Sequence, residues 1–466
     1  MALRPFIPLA LLLLAACAEY PSDRYRELSD YRQDFPPGAR APLSGKKTLT
    51  LAEARRTALE NEPDYRSAHQ AVAAAKYRYY RSLSAYLPQV DFRAGVRQSI
   101  RSSHDILNPP AGVMPWENAF DSGLGLRASL LLFDGLEREF AMLAARQEER
   151  RSRALDRNAR RLLVRAVAYA YYDAVLAEET RRIAEADLAF QLSSLRQAEN
   201  QYRNGLVSKA AVLNFRILAN SARSAILNAQ YRGSIARDSL AALMGYPERD
   251  LPEDLHLIPP DFDAEELYRS LESCLEQAAA NRPDLRAAAL MLDIALFRKW
   301  RAFSAFLPAV RAETGFSFSA ADSRYGGYRV TRSHHNTADF GWGIAGEWNL
   351  FRGFASVNQF RERMAEEEIA RLALSGQFLR VLTEVRDAYA NYRNAREQTR
   401  LCRETLQWVY EQRALVQSAF WCGRDTITRL NGAQSDVVEA ECRLAIARIE
   451  TGKALAQLRA AVGMED

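Results

Sequence analysis

The chain is written twice. Stepping 220 residues onward, Asn61, Pro63, Asp64, Arg66, Arg81, Ser84, Leu87, Pro88 and Gly95 meet identical residues at Asn281, Pro283, Asp284, Arg286, Arg301, Ser304, Leu307, Pro308 and Gly315. Further along the step becomes 218: Leu132-Phe133 returns as Leu350-Phe351, Gly135 as Gly353, Ala170-Tyr171 as Ala388-Tyr389, Glu179 as Glu397, Gly205 as Gly423 and Gly245 as Gly463. One two-residue change in length, between residues 95 and 132, reconciles the two series. Chance matches do not hold one register over so long a stretch, so the body of the chain is a duplicated unit, repeat 1 over 49–245 and repeat 2 over 263–463, joined by a connecting segment at 246–262.

Each half reads helix, strand, strand, helix, helix. In repeat 1 a helix runs from about Leu51 to Leu87, where Pro88 stops it. Strands follow at about 90–98 and 122–133. Between Leu136 and Tyr202 there is neither Pro nor Gly, which predicts one uninterrupted helix over 134–203, broken at Gly205 and followed by a helix over 208–243. Repeat 2 predicts a helix over Asp263–Phe306, strands at about 310–319 and 339–351, a long helix over 354–421, a break at Gly423, and a helix over 426–461. A helix of about 69 residues is roughly 100 Å long, and two shorter helices of roughly 55 Å each match it end to end. Leu188, Leu192, Leu195 and Tyr202, and likewise Val409, Val416 and Phe420, recur at helical spacing, as helices packed side by side require. A soluble coiled-coil hairpin would show the same pattern.

The strands alternate strictly. Val90, Phe92, Ala94 and Val96 are interleaved with Asp91, Arg93, Gly95 and Arg97; Leu124, Leu126, Ala128 and Leu130 with Gly125, Arg127, Ser129 and Leu131. Val310, Ala312, Thr314, Phe316 and Phe318 alternate with Arg311, Glu313, Gly315 and Ser317, and Phe340, Trp342 and Ile344 with Gly341, Gly343, Ala345 and Glu347. One face is apolar and the other polar. At about 9–11 residues each stretch has the span of a membrane β-strand. A soluble sheet packed on a helix alternates in the same way, so both readings stand at this point. Four strands cannot close a membrane barrel, and an open edge cannot exist in lipid, so the membrane reading requires several chains to share one barrel. Its polar positions Arg93, Arg97, Arg127, Arg311, Glu313 and Glu347, with Asp91, would line a water-filled lumen or pair with one another across strands. The long segments Ser99–Asp121 and Ser319–Ala338 read as outward loops, the second containing His334-His335.

Composition excludes other classes. A net charge of +5 leaves no basic field for nucleic acid. Five Cys and five His occur without C-x-x-C or H-x-x-x-H, and neither G-x-S-x-G nor G-x-x-x-x-G-K is present. The expectation is a protein that is no enzyme and carries no cofactor or metal. Cys402 and Cys442 fall about a turn out of register across the Gly423 break and are expected as free thiols.

The first residues form a processing signal. Arg4 and the apolar run to Ala16 make a secretory signal over 1–16 that is too short to span a bilayer. Leu14-Ala15-Ala16-Cys17 resembles the bacterial lipobox, which implies acylation of Cys17 and, with Ala18 next, an outer-membrane address. Residues 17–48 then form a polar tether.

Together, Leu-Thr-Leu-Ala-Glu-Ala at 49–54, Leu87-Pro88, Leu132-Phe133-Asp134-Gly135, Trp348-Asn349-Leu350-Phe351-Arg352-Gly353, the Gly205 and Gly423 turns and the lipobox resemble the TolC-like outer-membrane factor family, lipoprotein efflux branch, over residues 49–463. The resemblance implies a mainly α fold with a membrane β-barrel: a homotrimer whose strands form one 12-stranded barrel above a long α-helical periplasmic barrel. It implies an outer-membrane channel that receives substrates from a periplasmic adaptor and an inner-membrane transporter. Asn204, Gly205 and Leu206, with Cys422, Gly423 and Arg424, would be the periplasmic tips that meet the adaptor. Some members ring the aperture with carboxylates six and nine residues after the second tip glycine; here those positions are Arg429 and Gly432. The alternatives are the outer-membrane component of type I protein secretion and a non-channel periplasmic scaffold lipoprotein.

Overall fold

The computed structural model describes residues 47–102, 116–246, 251, 255–259, 270–326 and 331–464. The signal 1–16, the acylation candidate Cys17 and almost all of the tether 17–48 lie outside them. In order, the elements are β1 (Thr48–Leu49), α1 (Leu51–Asn61), α2 (Pro63–Leu83), β2 (Gln89–Ser102), β3 (Trp116–Phe133), α3 (Glu137–Arg203), α4 (Lys209–Leu243), β4 (His256–Leu257), α5 (Leu271–Asn281), α6 (Pro283–Phe303), β5 (Ala309–Gly326), β6 (Thr331–Glu347), α7 (Ala355–Trp421) and α8 (Ile427–Val462). The long helices α3 and α7 have 67 residues each.

Two expectations are corrected. The helix read as continuous from Leu51 to Leu87 is broken at Glu62, and its counterpart over Asp263–Phe306 is broken at Arg282. The residue before a proline is pushed out of the α region; Glu62 and Arg282 adopt extended backbone, and Pro63 and Pro283 each begin a new helix. α1 is fixed at its start by a capping box, in which Thr50 Oγ accepts from the Glu53 N–H and the Glu53 carboxylate accepts from the Thr50 N–H. The strands also run beyond their predicted ends. β2 continues to Ser102, β3 starts at Trp116, β5 reaches Gly326 and β6 starts at Thr331. Backbone pairing therefore carries on where the side-chain alternation fades, and His334-His335 sits within β6 opposite Asp322 and Ala321 rather than in a loop.

The contacts divide the chain into two compact units, and both repeats contribute to each. One unit contains residues 47–66, 163–246, the described part of the connecting segment, and 392–456. Its core gathers Leu49, Val167, Tyr171, Leu240, Met244, Leu255 and Leu257. β1 and β4 pair in parallel, Thr48 opposite His256 and Leu49 opposite Leu257. The buried Tyr171 hydroxyl lies 2.8 Å from the Leu49 carbonyl and 2.7 Å from that of Ile258, so one hydroxyl serves both strands at one end of this ribbon. Burial pushes the Tyr171 phenol well above its ordinary pKa and keeps it a donor. A second cluster joins Ala198, Val212 and Phe215 of repeat 1 to Val416, Leu430 and Ala433 of repeat 2.

The other unit holds 67–102, 116–162, 270–326, 331–391 and 457–464, with a four-stranded antiparallel sheet in the order β2-β3-β5-β6. Its helices are tied by a buried ionic cluster. Arg282 contacts Asp284 and Glu384, each at 2.6 Å, and donates to the Ala461 carbonyl at 3.0 Å. Arg161 donates to the Ala460 carbonyl at 2.6 Å and stands 3.6 Å from Asp284. The two guanidiniums thus bind carbonyls in the last turn of α8, where the helical hydrogen-bond ladder runs out. Burial alone would raise the Asp284 carboxyl, but the hydrogen bond and charge of Arg282, with the charge of Arg161, hold it below the usual carboxylate range.

Because the folded pKa of Asp284 is depressed, its contribution to stability is complete above the unfolded carboxylate pKa of about 4 and fades as pH falls through the folded value. Asp284→Asn leaves both buried guanidiniums short of a counter-charge and should destabilise the protein by about 3 kcal/mol at neutral pH. Thermal unfolding of the detergent-purified protein from pH 7 down to pH 3, followed by circular dichroism, should show the two proteins converging only below about pH 4.

Candidate functional site

The strand registers set side chains from all four strands in rows. Phe92, Leu126, Phe316 and Phe340 are successive cross-strand partners, as are Ala94, Leu124, Phe318 and Ala338. Partners in register share a face, so the whole apolar set lies on one side of the sheet. That side is bare: Phe92 is 68% exposed, Phe340 74% and Trp342 77%. A sheet in water turns its apolar face to a core; this one turns it outward.

The polar rows lie opposite. Asp91, Arg127, Gly315 and Gly341 form one, and Arg93, Gly125, Ser317 and Asp339 the next. By the same parity Arg97, Arg311, Glu313 and Glu347 belong to this face, so all six charged positions singled out in the sequence are brought together. Arg311 and Glu313 approach to 3.9 Å. Asp91, Arg93, Arg127 and Glu313 line a concavity of about 850 Å³ whose floor is largely glycine and serine. Small side chains suit this side, since rows on the concave face of a curved sheet converge.

Where β3 meets the long helix α3, a clamp turns the chain. Gly135 has φ 69° and an added Cβ there would lie 2.8 Å from the Ser304 carbonyl oxygen, so only glycine fits. Arg138 pairs with Asp134 at 3.0 Å, donates to the Leu131 carbonyl at 2.7 Å and lies over the Tyr86 ring.

In the other unit, Asn204-Gly205-Leu206 and Cys422-Gly423-Arg424 are exposed turns of one design. Gly205 N–H donates to Tyr202 O and Leu206 N–H to Gln201 O; Gly423 N–H donates to Phe420 O and Arg424 N–H to Ala419 O. Both are Schellman closures, with glycine in the left-handed region. Arg429 is exposed and pairs with Asp425 at 3.4 Å, so part of its charge is balanced within the chain. Gly432 has open space where a side chain would stand. Cys402, Cys422 and Cys442 are free thiols.

Sequence reasoning missed the polar links that join helices of different repeats near these turns. Gln434 donates to Asp187 at 2.8 Å and Asn431 to Asn214 at 2.7 Å, while Tyr410 donates to Glu441 between α7 and α8. Their only trace in the sequence is polar residues at helix positions that the heptad pattern assigns to the core. Among the described residues no helix is long and apolar enough to cross a membrane, and no group of three His, Cys, Asp or Glu could hold a metal ion.

The two glycine-capped turns of repeat 1 differ in their surroundings. At Gly205 an added Cβ meets nothing, whereas at Gly245 it would come within 2.8 Å of Asn61. Gly205→Ala should cost only the left-handed backbone, about 1–2 kcal/mol; Gly245→Ala should cost about 1–3 kcal/mol more through overlap. The difference in melting temperature between the two variants measures it.

The family model "Outer membrane efflux protein" matches residues 54–246 and 274–464. The outer membrane protein TolC of Vibrio cholerae serotype O1 is 25% identical over 430 residues, covering 89% of this chain and 90% of that protein. Among solved structures, the transmembrane channel protein CusC superposes with a TM-score of 0.75 at 20% identity, covering 89% of this chain and 92% of that one. The outer membrane protein VceC of Vibrio cholerae gives 0.71 at 19% identity, covering 89% and 97%. These likenesses show that the helix order and the four-stranded sheet are a shared fold.

Proposed function

The chain belongs to the outer membrane efflux protein family and is an outer-membrane channel subunit of a tripartite efflux system; from this we propose that three copies pool their four-stranded sheets into one 12-stranded barrel. The observation that carries the proposal is the inverted sheet. An apolar face bare of protein on four adjacent strands suits hydrocarbon, and a charged, glycine-floored concave face suits a water-filled lumen. A packed soluble sheet, which a scaffold protein would need, would keep that apolar face covered.

On this reading Arg93, Arg97, Arg127, Arg311, Glu313 and Glu347 line the barrel. The turns at Asn204-Gly205-Leu206 and Cys422-Gly423-Arg424 meet a periplasmic adaptor that couples the channel to an inner-membrane transporter. Acylation of Cys17, supported by the lipobox-like sequence, adds a lipid anchor in the outer membrane beside the barrel itself.

Single-channel conductance in planar bilayers tests the reading. Leu126→Arg places a charge on the apolar face and should cost about 2–4 kcal/mol near mid-membrane, seen as loss of the assembled, heat-resistant oligomer. Ser129→Arg, on the opposite face, should assemble and change conductance. Equal damage from both removes the basis for the barrel.

At the turns, three copies of Arg424 and Arg429 would surround the periplasmic aperture. Asp425 offsets part of that charge. The pore should select less for cations than one ringed by carboxylates. Arg429→Asp should shift the reversal potential towards cations, by an amount that shrinks in high salt. An unchanged reversal potential with conductance intact would show that Arg429 does not govern selectivity.

A further inference from the structure

β2 and β6 are the outer strands of the sheet, and among the described residues the far edge of each is unpaired. What can pair with them is constrained by the duplication, which holds for strand register as well as for sequence. β2 meets β3 with Gln89 opposite Ser129, and β5 meets β6 with Ala309 opposite Glu347. The second pair is the first moved on by 220 and 218 residues, the same two steps that relate the halves. The seam between the repeats, β3 with β5, sets Ser129 opposite Glu313 and Leu126 opposite Phe316. Moving β3 on and β5 back by those steps turns Ser129 into Glu347, Glu313 into Arg93, Leu126 into Ile344 and Phe316 into Val96. These residues lie on β6 and β2, so the transferred seam can form only between copies.

We propose that β6 of one copy pairs antiparallel with β2 of the next in this transferred register, with Arg93 opposite the partner's Glu347 on the polar face and Val96 opposite the partner's Ile344 on the apolar face. The inference rests on the reading that copies share one barrel. Neither Arg93 nor Glu347 makes an ion pair among the described residues of its own chain; the Glu347 carboxylate accepts only from Asn349. The pairing supplies each with its opposite charge. A slip of one residue would turn the apolar face into the lumen. A slip of two in one direction would set Glu347 against Asp91, like against like, and in the other against Gly95, with no partner at all. The helices give no substitute. Arg301 and Glu137 pair at 2.8 Å between α6 and α3, but the same steps convert them into Arg81 and Ala355, which cannot. The strand pair therefore supplies a charge match between copies that this helix pair does not.

The test is disulfide trapping in membranes, in a chain carrying Cys402→Ala, Cys422→Ala and Cys442→Ala. Directly opposed residues lie about 4.5–5.5 Å apart at their α-carbons, within reach of a disulfide, and diagonal neighbours lie about 7–8 Å apart. Arg93→Cys with Glu347→Cys should give dimer and trimer bands on non-reducing denaturing gels, several-fold stronger than Arg93→Cys with Ala345→Cys or with Asn349→Cys. A slipped pair that cross-links best overturns the register, as does absence of every cross-link in protein that native mass spectrometry still finds as a trimer. Protein found only as a monomer would sink the shared barrel as well. Charge exchange needs no cysteine: Arg93→Glu should lower the temperature at which the oligomer dissociates, and adding Glu347→Arg should restore it. Failure of the second change to restore it also overturns the pairing.

Discussion

A peptide N–H or C=O placed in hydrocarbon has no water to turn to, so every strand in a membrane must have both edges paired. Among its described residues this chain has a sheet of four such strands, with two edges open. The apolar face forbids water and the open edges forbid solitary insertion into lipid, and the two together make assembly a condition of the fold. The duplication makes that condition easy to meet. A seam that already works between the two halves of one chain is available again between copies, and each copy brings one of each edge.

The helices serve the same end by different means. Their ends are closed by backbone hydrogen bonds at Gly205, Gly245, Gly423 and Gly463, which leaves the turn surfaces free for contact with other proteins. Between the helices, apolar contacts alternate with single polar links such as Asp187–Gln434 and Asn214–Asn431. A link of that kind fixes the register of two helices at the cost of desolvating two polar groups. Its net worth is small while it is made, and its loss is expensive if one partner stays buried.

How far the sequence could be read followed from how many residues a feature spans. The faces of the sheet were legible because Phe92, Leu126, Phe316 and Trp342 each belong to a run of period two, and the first long helix because neither Pro nor Gly lies between Leu136 and Tyr202. Breaks at Glu62 and Arg282 were overlooked although Pro63 and Pro283 mark them, because the apolar periodicity resumes beyond each proline. β1 and β4 are two residues each, too short to have a period, and their pairing depends on Tyr171, more than a hundred residues from Leu49. The grouping of Arg161, Arg282, Asp284 and Glu384 was invisible for the same reason: its members come from three distant helices and no local pattern announces them. Among the candidate site residues, the charged strand positions followed directly from alternation, and Asp425 stands one helical turn before Arg429, the spacing at which the two pair at the start of α8.

The position of that ionic cluster also bears on how the protein is made. Arg161 and Arg282 reach the carbonyls of Ala460 and Ala461, which follow them in the chain by 299 and 179 residues. A nascent chain in which α8 has not yet been made holds two guanidiniums at an interior site, each short of a carbonyl acceptor. The helix made last of those in the cluster is thus its keystone: the layer to which Arg161 and Arg282 belong closes only once that helix is in place.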